Sequence, residues 1–340
     1  MNVLVTGGAG YVGSVVTEEL LKGGHKPIVL DNLQQGHKEA VLPQAEFVLA
    51  DICDAEALED VFRRFKIDAV MHMAAETIVE YSVTDPKRYF RNNIVGGINL
   101  LDIMLKHDVH KLIFSSSAAV YGEPENTPIR EEHPTAPVNS YGESKLMFEH
   151  ILNWYGKAYG FKHISLRYFN AAGASKYLGE DHHPETHLIP NVLKVALCQG
   201  NSAAIFGIDY PTNDGSCLRD YVHVMDIAQA HLLALEKLDN LSGRVYNLGN
   251  GAGHSVLEVV DITKKVTGVD IPVSIYPRRA GDPAVLVASS SLAKQEMNWK
   301  PEFLELRNII ESAWNWMKKF PNGYEQQSCE TNNSGRGRAD

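Results

Sequence analysis

The sequence predicts an α/β protein built on a doubly wound parallel sheet, with a smaller α/β lobe on its carboxyl-terminal side. Three observations carry that expectation. Short apolar runs alternate with helical patterns through the first third, a glycine-rich turn directly follows the first run, and a serine triplet ends the fifth. Strands joined by right-handed crossover helices are covered on both faces, so unbroken apolar runs mark them better than strict alternation does.

The runs are Val3-Leu4-Val5, Pro27-Ile28-Val29-Leu30, Phe47-Val48-Leu49, Ala69-Val70-Met71-His72 and Lys111-Leu112-Ile113-Phe114, with His163 to Tyr168 as a sixth. Between them, apolar residues three or four apart mark helices such as Val12 to Leu21 and Leu58 to Phe65. After Asn170 the chain changes character, and Gly173 to Pro190, rich in Gly, His, Pro and charge, is expected to be loop. Strands are expected near Ala203–Phe206, Val245–Leu248 and Val273–Tyr276, and helices near Val224–Leu238 and Ser255–Val266. The division expected is residues 1–170 for the sheet domain and 171–320 for a lobe partly interleaved with it. Residues 321–340 form a polar tail with little to bury, expected to be disordered.

Composition narrows the function classes. The 340 residues suffice for a large α/β domain and a further lobe, and 44% hydrophobic with 22% charged residues is ordinary for a globular protein. No apolar run approaches the ~18 residues of a membrane helix. Met1-Asn2-Val3-Leu4-Val5-Thr6 leads straight into a strand without a basic, apolar, cleavable leader, so a cytoplasmic protein is expected. Cys53, Cys198, Cys217 and Cys329 are scattered and suggest no disulfide framework or zinc pattern. A net charge of −10 argues against a nucleic-acid surface while leaving anionic small ligands open.

The chemistry centres on Tyr141-Gly142-Glu143-Ser144-Lys145. Residues four apart on a helix share a face, so the Lys145 ammonium can approach the Tyr141 phenol and favour its ionised form. Among 14 tyrosines only Tyr141 has a lysine four places on. Gly7-Gly8-Ala9-Gly10-Tyr11-Val12-Gly13 lies between first strand and first helix, where glycines allow a tight turn and close approach of backbone to a pyrophosphate at the helix N-terminus. Asp31 ends the second strand 18 positions after Gly13, near the spacing of a carboxylate that bonds an adenosine ribose; its charge disfavours a 2′-phosphate, so NAD is expected over NADP. Asp51-Ile52 suits an adenine contact or, equally, a helix N-cap at Asp51. Ser115-Ser116-Ser117 ends the fifth strand at the edge where such sheets bind ligands. A serine, a tyrosine and a lysine beside a nicotinamide would make hydride-transfer machinery.

These motifs, with Leu30-Asp31-Asn32-Leu33, Ile113 to Gly122, Leu166-Arg167-Tyr168-Phe169-Asn170, Arg219 to Val224 and Arg278-Arg279-Ala280-Gly281-Asp282, resemble the UDP-glucose (UDP-galactose) 4-epimerases of the extended short-chain dehydrogenase/reductase superfamily. The likeness runs from residue 2 to about 320. It implies a Rossmann-type sheet holding NAD as a resident group, with Gly7, Gly10, Tyr11, Val12, Gly13, Asp31, Asn32, Asp51, Ile52, Met73, Ala74, Ala75, Asn92, Tyr141, Lys145 and Tyr168 around it. It implies that Tyr141 removes the proton of the sugar 4-hydroxyl, that Ser117 orients that hydroxyl, and that Lys145 holds the ribose and depresses the tyrosine pKa. The 4-keto sugar then presents its other face and is reduced with inverted configuration.

By the same resemblance Asn170, His187 and Leu188 line the UDP-sugar, Ala204 and Phe206 frame the uracil, and Arg219, Arg279 and Asp282 attend the diphosphate end. Asp181-His182-His183 with Glu185 and His187 match no standard zinc spacing, and the implied reaction needs no metal, so none is expected. Thr77 stands where some relatives carry a basic residue, so no lysine contact to the cofactor is expected there. Val285 falls about where others carry a tyrosine, leaving room for a 2-acetamido group. Nucleotide-sugar dehydratases and decarboxylases place acids after the serine or threonine, whereas this chain has Ala118-Ala119. A uronate or pentose 4-epimerase differs only in recognition at C6. A nonenzymatic NAD-binding regulator could dispense with the Tyr-Lys pair. A homodimer through helices around 84–107 and 141–159 is also implied.

Overall fold

The computed structural model describes residues 1–279 and 282–324. In the first half, strands β1 (Asn2–Thr6), β2 (Lys26–Asp31), β3 (Glu46–Leu49), β4 (Ala69–His72), β5 (Lys111–Ser117), β6 (Lys162–Tyr168) and β7 (Asn170–Ala172) appear in that order. Among them lie helices α1 (Tyr11–Lys22), α2 (Ala55–Arg64), α3 (Val79–Thr84), α4 (Pro86–Tyr89), α5 (Gly97–Lys106) and α6 (Ser140–Tyr159). The second half carries α7 (Leu188–Ala196), β8 (Ala203–Phe206), β9 (Leu218–His223), α8 (Val224–Leu241), β10 (Arg244–Leu248), β11 (Gly253–Ser255), α9 (Val256–Thr267), β12 (Val273–Tyr276), β13 (Val285–Leu286) and α10 (Leu306–Lys319).

A seven-stranded parallel sheet runs in the order β10-β6-β5-β4-β1-β2-β3. Both of its faces are covered, which accounts for the unbroken apolar runs. Val3, Val5, Ile113 and Ile164 share a core with Val15, Val16 and Leu20 of α1 and Ile227, Ala234 and Leu238 of α8. Leu4, Ile28, Val70 and Leu112 point the other way, onto Leu58, Val61, Leu100, Phe148 and Leu152. Strand order reverses between β1 and β4, so the ligand crevice of such a sheet opens at their carboxyl ends.

Two later elements expected in the smaller lobe belong to the large sheet. Strand β10 pairs with β6 in parallel, and α8 packs against α1. What remains apart is a small sheet around β9, which takes β7 and β13 in parallel and β11 antiparallel, plus the parallel pair β8–β12 with α7, α9 and α10. The single helix expected around 84–107 is interrupted: α4 passes through a π-helical turn at Phe90–Gly96 before α5 begins. Burial also continues past Pro321. Tyr324 is 3% exposed, and its hydroxyl accepts from the Gly179 amide at 3.0 Å and donates to the Gly179 carbonyl at 3.1 Å. The rest of the expected tail, with Cys329, lies outside the described residues, as do Ala280 and Gly281 of the arginine motif. Among the described residues no helix is long and apolar enough to cross a membrane.

Candidate active site

The glycine turn is shaped by contact. Gly7 adopts φ +73°, and a Cβ there would lie 2.6 Å from the Ala74 nitrogen; one on Gly13 would overlap the Gly7 carbonyl oxygen. Both positions therefore require glycine, and the turn packs directly on Met73-Ala74 at the end of β4. Gly10 is the N-cap of α1 and supplies no side-chain cap, so the first-turn N–H groups, including those of Tyr11 and Val12, remain available to an anion. Asp31, 7% exposed, accepts from the Ala9 amide at 3.0 Å and the Leu33 amide at 2.9 Å. Burial raises its pKa, while those amides oppose the shift. A close-packed turn, a free helix N-terminus and a fixed carboxylate at the end of β2 fit the pyrophosphate and adenosine ribose of a dinucleotide.

The neighbouring candidates fall on the same rim with distinct local tasks. The Asn32 amide donates to Asp51 at 2.9 Å, and the other Asp51 oxygen accepts from the Cys53 amide at 2.7 Å. Asp51 is thus a turn residue, and the cap of α2 is Asp54, whose carboxylate accepts from Glu56 and Ala57. Ile52 is buried against Gly96. The Met73 amide donates to the Thr6 carbonyl at 3.0 Å, continuing the sheet, with Ala74 and Ala75 half-buried beyond it. Asn92 donates to Asn93 Oδ1 at 3.0 Å. Asn93, which no sequence signal singled out, is fully engaged: it accepts from the Glu76 amide at 2.8 Å and donates to the Glu76 carbonyl at 3.1 Å and to Ser144 Oγ at 2.9 Å.

Ser117 ends β5, and Tyr141 and Lys145 occupy the first two turns of α6, which Asn139 caps by accepting from the Gly142 amide at 2.8 Å. The Lys145 ammonium donates to the Ser115 carbonyl at 2.8 Å and lies 5.8 Å from the Tyr141 ring centre. Burial pushes the Lys145 pKa down to about 7, against the pull of Glu149. Burial raises the Tyr141 pKa, and a hydrogen bond with Ser117 works the other way. In the protein alone, the pull that opposes burial at the phenol comes from Ser117. Tyr168 comes close to this group, yet its hydroxyl is bonded to His231 Nε2 at 2.6 Å. No acid follows Ser117: Ala118 is buried, and the Ala119 amide donates to Ser117 Oγ at 3.1 Å.

Helix α6 is anchored by a buried cluster that the sequence did not announce. Glu149 accepts from Ser116 Oγ at 2.5 Å and from Arg167 Nε at 2.9 Å and Nη2 at 2.6 Å; Arg167 also donates to the Tyr121 hydroxyl at 2.8 Å. That hydroxyl donates to Asn247 Oδ1 at 2.7 Å. The lattice joins α6 to β5, β6 and β10.

The smaller lobe collects most of the remaining candidates. Asn170 donates to the Asp220 carbonyl at 3.3 Å, beside Arg219 on β9. Arg219 is ion-paired with Asp282 and donates to the Leu218 carbonyl at 2.7 Å. The Arg279 guanidinium sits 3.9 Å from the centre of the Phe206 ring, which stacks on Tyr276; Ala204 is exposed on the same strand. Leu188 opens α7, and His187 is its N-cap. His187 does not stand alone: its Nδ1 lies 2.7 Å from Glu180 and 3.1 Å from Glu185, in a group that includes His182.

A doubly wound sheet with a dinucleotide-shaped turn and a Ser-Tyr-Lys set at its carboxyl edge defines a protein of the nucleotide-dependent dehydrogenase class. Residues 3–249 match the model of the NAD dependent epimerase/dehydratase family, and the chain belongs to that family. It is 52% identical over 332 residues to a UDP-glucose 4-epimerase of Halalkalibacterium halodurans, covering 96% of this chain and 99% of the relative. Among solved structures, a UDP-glucose 4-epimerase from Bifidobacterium longum in complex with NAD+ and UDP superposes with a TM-score of 0.91 at 40% identity, covering 95% of this chain and all of that one. A UDP-Glc/GlcNAc 4-epimerase from Campylobacter jejuni gives 0.82 at 42% identity, covering 94% and 99%.

Proposed function

We infer that the protein interconverts UDP-glucose and UDP-galactose by NAD-dependent inversion at sugar C4. The observation that carries this is the placement of Ser117, Tyr141 and Lys145 at the carboxyl edge of the same parallel sheet whose first strand leads into the glycine turn, with no acid following Ser117. When bound, NAD supplies a hydride acceptor that later returns the hydride, and in its oxidised form adds positive charge near the phenol. Gly7, Gly10, Tyr11, Val12 and Gly13 hold its pyrophosphate, and Asp31 the adenosine ribose. Asn32, Asp51, Ile52, Met73, Ala74, Ala75, Asn92 and Tyr168 complete the surround.

Tyr141 takes the proton from the 4-hydroxyl and later gives it back. Ser117 bonds the same oxygen and favours the phenolate, and Lys145 binds the ribose hydroxyls with the N–H groups that Ser115 leaves free. Asn170, His187 and Leu188 flank the sugar, Ala204 and Phe206 frame the base, and Arg219 and Arg279 meet the diphosphate, with Asp282 positioned by its ion pair to Arg219. The missing acid after Ser117 favours epimerisation over dehydration, since removing the sugar 6-hydroxyl requires further proton transfer. Val285 is half-buried beside Leu218, next to Arg219 on β9, which supports a pocket that also takes UDP-N-acetylhexosamines.

Two further expectations belong to this reading. Met147 and Trp154, seven residues apart, expose an apolar face of α6, and Val95 is exposed just before α5; we propose that these surfaces meet in a homodimer. Cys53, Cys198 and Cys217 are free thiols, which suits a reducing cytoplasm.

The deciding experiment is incubation of purified protein with UDP-galactose, with and without added NAD, and analysis of the sugar products. Conversion without addition supports both the reaction and a resident cofactor, whereas conversion only with NAD retains the chemistry alone. No conversion in either arm overturns the assignment. UDP-N-acetylglucosamine left unchanged at saturation would remove the wider substrate range.

A further inference from the structure

Four donors outside the Ser-Tyr-Lys set converge in the loop between β7 and α7. We propose that Glu180, His182, Glu185 and His187 form a zinc site that locks this loop against the glycine turn and the start of α7. The proposal is independent of which sugar the protein turns over.

Geometry comes first. One donor atom from each of the four residues lies within 4.8 Å of all the others. A tetrahedral ion with bonds of about 2.0–2.1 Å spaces its donors about 3.3–3.4 Å apart. Here His182 Nδ1 is 3.2 Å from Glu180 Oε1 and 3.7 Å from Glu185 Oε2, while His187 Nδ1 is 2.7 Å from Glu180 Oε1 and 3.1 Å from Glu185 Oε1. With Oε2 as the Glu185 donor, the two His182 separations lie on either side of that edge, and His187 Nδ1 stands closer to Glu180 Oε1 than the edge.

Satisfaction of the donors is the second observation. The side chains of Glu180 and Glu185 are only 7% and 3% exposed. Even so, Glu180 Oε1, Glu185 Oε2 and His182 Nδ1 have no hydrogen-bond partner, although oppositely charged groups are near. Buried polar atoms are rarely left in that state, because each costs about 1–3 kcal/mol. An ordinary cluster of two carboxylates and two protonated imidazoles would aim N–H groups at oxygens. Of these four residues, only His187 Nδ1 with Glu185 Oε1 has that direction. The other oxygen of Glu185 is free to turn inward because Oε1 is held by the Thr186 and His187 amides, both at 2.8 Å. Fixing a ligand's second atom in this way is how proteins orient metal-binding carboxylates.

Donor chemistry selects the ion. Two imidazole nitrogens disfavour magnesium and calcium, and two nitrogens with two carboxylates suit zinc. Four protein donors make a closed set, which marks a structural role. The site has something to position: His187 stands at the start of α7 ahead of Leu188, and the His182 ring meets the edge of Tyr11, whose hydroxyl donates to the Gly173 carbonyl at 2.6 Å. His187 is half-exposed and gives the ion a way in. The adjoining group His37, Asp181 and His183 is a natural control, since His183 is largely exposed and Asp181 Oδ2 already accepts from the Tyr324 amide at 3.0 Å.

The test uses tag-free, full-length protein stripped with dipicolinate, dialysed, and titrated with zinc against a chromophoric chelator; a second sample is loaded with cobalt(II). One equivalent of zinc per chain, the visible bands of tetrahedral cobalt and a rise of several degrees in Tm are expected. His182→Gln and Glu185→Gln should lose the zinc equivalent and the cobalt bands, whereas His183→Gln should keep both. Circular dichroism checks that the variants fold, and the wild-type titration stands without them. Absence of a bound equivalent in the wild type overturns the proposal, as does zinc retained by both ligand variants or binding of magnesium or calcium in preference to zinc.

Discussion

Tyr141 and Lys145 are both buried, and burial acts on them in opposite senses, raising the phenol pKa and pushing the ammonium down to about 7. Burial therefore works against both charges, and a bound cation would favour the phenolate. Tyr141→Phe keeps the ring and removes the proton carrier. Its kcat on UDP-galactose should fall by about 10²–10⁴ with the fold unchanged; equal rates would sink the assigned role. Lys145 gives a pH signature. Its folded pKa of about 7 lies below the unfolded value of 10.5, so below pH 7 both states are protonated and the cost of a buried charge is fully present. Between 7 and 10.5 the unfolded chain binds the extra proton, and stability rises with pH. Lys145→Met should therefore raise the Tm of cofactor-free protein more at pH 6 than at pH 9, as scanning calorimetry will show, while abolishing activity. A gain that grows with pH contradicts a depressed lysine.

At the scale of elements, α6 acts as a beam that sets Tyr141 and Lys145 against Ser117. Its start is fixed by Asn139 and its middle by the ion pair of Glu149 with Arg167, side chains only 4% and 6% exposed. Losing the cap should cost about 1 kcal/mol. Glu149→Ala strands a buried guanidinium and should cost about 3–5 kcal/mol. Urea melts of the two variants test the ranking, and a Glu149→Ala cost no larger than that of Asn139→Ala would mean that water replaces the pair. What was legible here follows from distance along the chain. The Tyr-Lys spacing, the apolar strands and the glycine turn are local patterns, visible because helix and sheet periods fix which side chains meet. Glu149 and Arg167 are 18 residues apart on different elements, and Asn93 clamps Ser144 across 51; no local period encodes such partners. The π-helical turn at Phe90–Gly96 was hidden for a related reason, because its apolar spacing is close to that of an ordinary helix. Glu180 to His187 looked like a charged loop for want of a known spacing, and only folding shows its donors converging.

The whole molecule is less divisible than its sequence order suggests. Helix α8 and strand β10 return after residues 173–223, whose expected loop ends where α7 opens at Leu188, to cover and complete the large sheet, so the smaller lobe is an excursion from the sheet domain and not an appendage. Its strands β7, β11 and β13 have only three, three and two residues, too short for a sequence pattern, and exist because β9 offers them edges. Covering of the large sheet also explains why apolar surface is conspicuous elsewhere. Trp154 is 68% exposed and Val95 50%, on helical segments whose opposite faces carry core residues such as Leu152 and Leu100. Large apolar groups with their backs to a finished core are expected where another surface covers them. If two copies meet through these helices, the pairing is two-fold and each exposed residue counts twice, so one charge is disruptive. Sedimentation equilibrium should give twice the 37.7 kDa chain mass for the wild type and the single-chain mass for Trp154→Glu at low micromolar concentration. Circular dichroism should be unchanged, because Trp154 lies outside the core. A wild type that sediments as one chain, or a Trp154→Glu variant that stays paired, would move the interface away from α6.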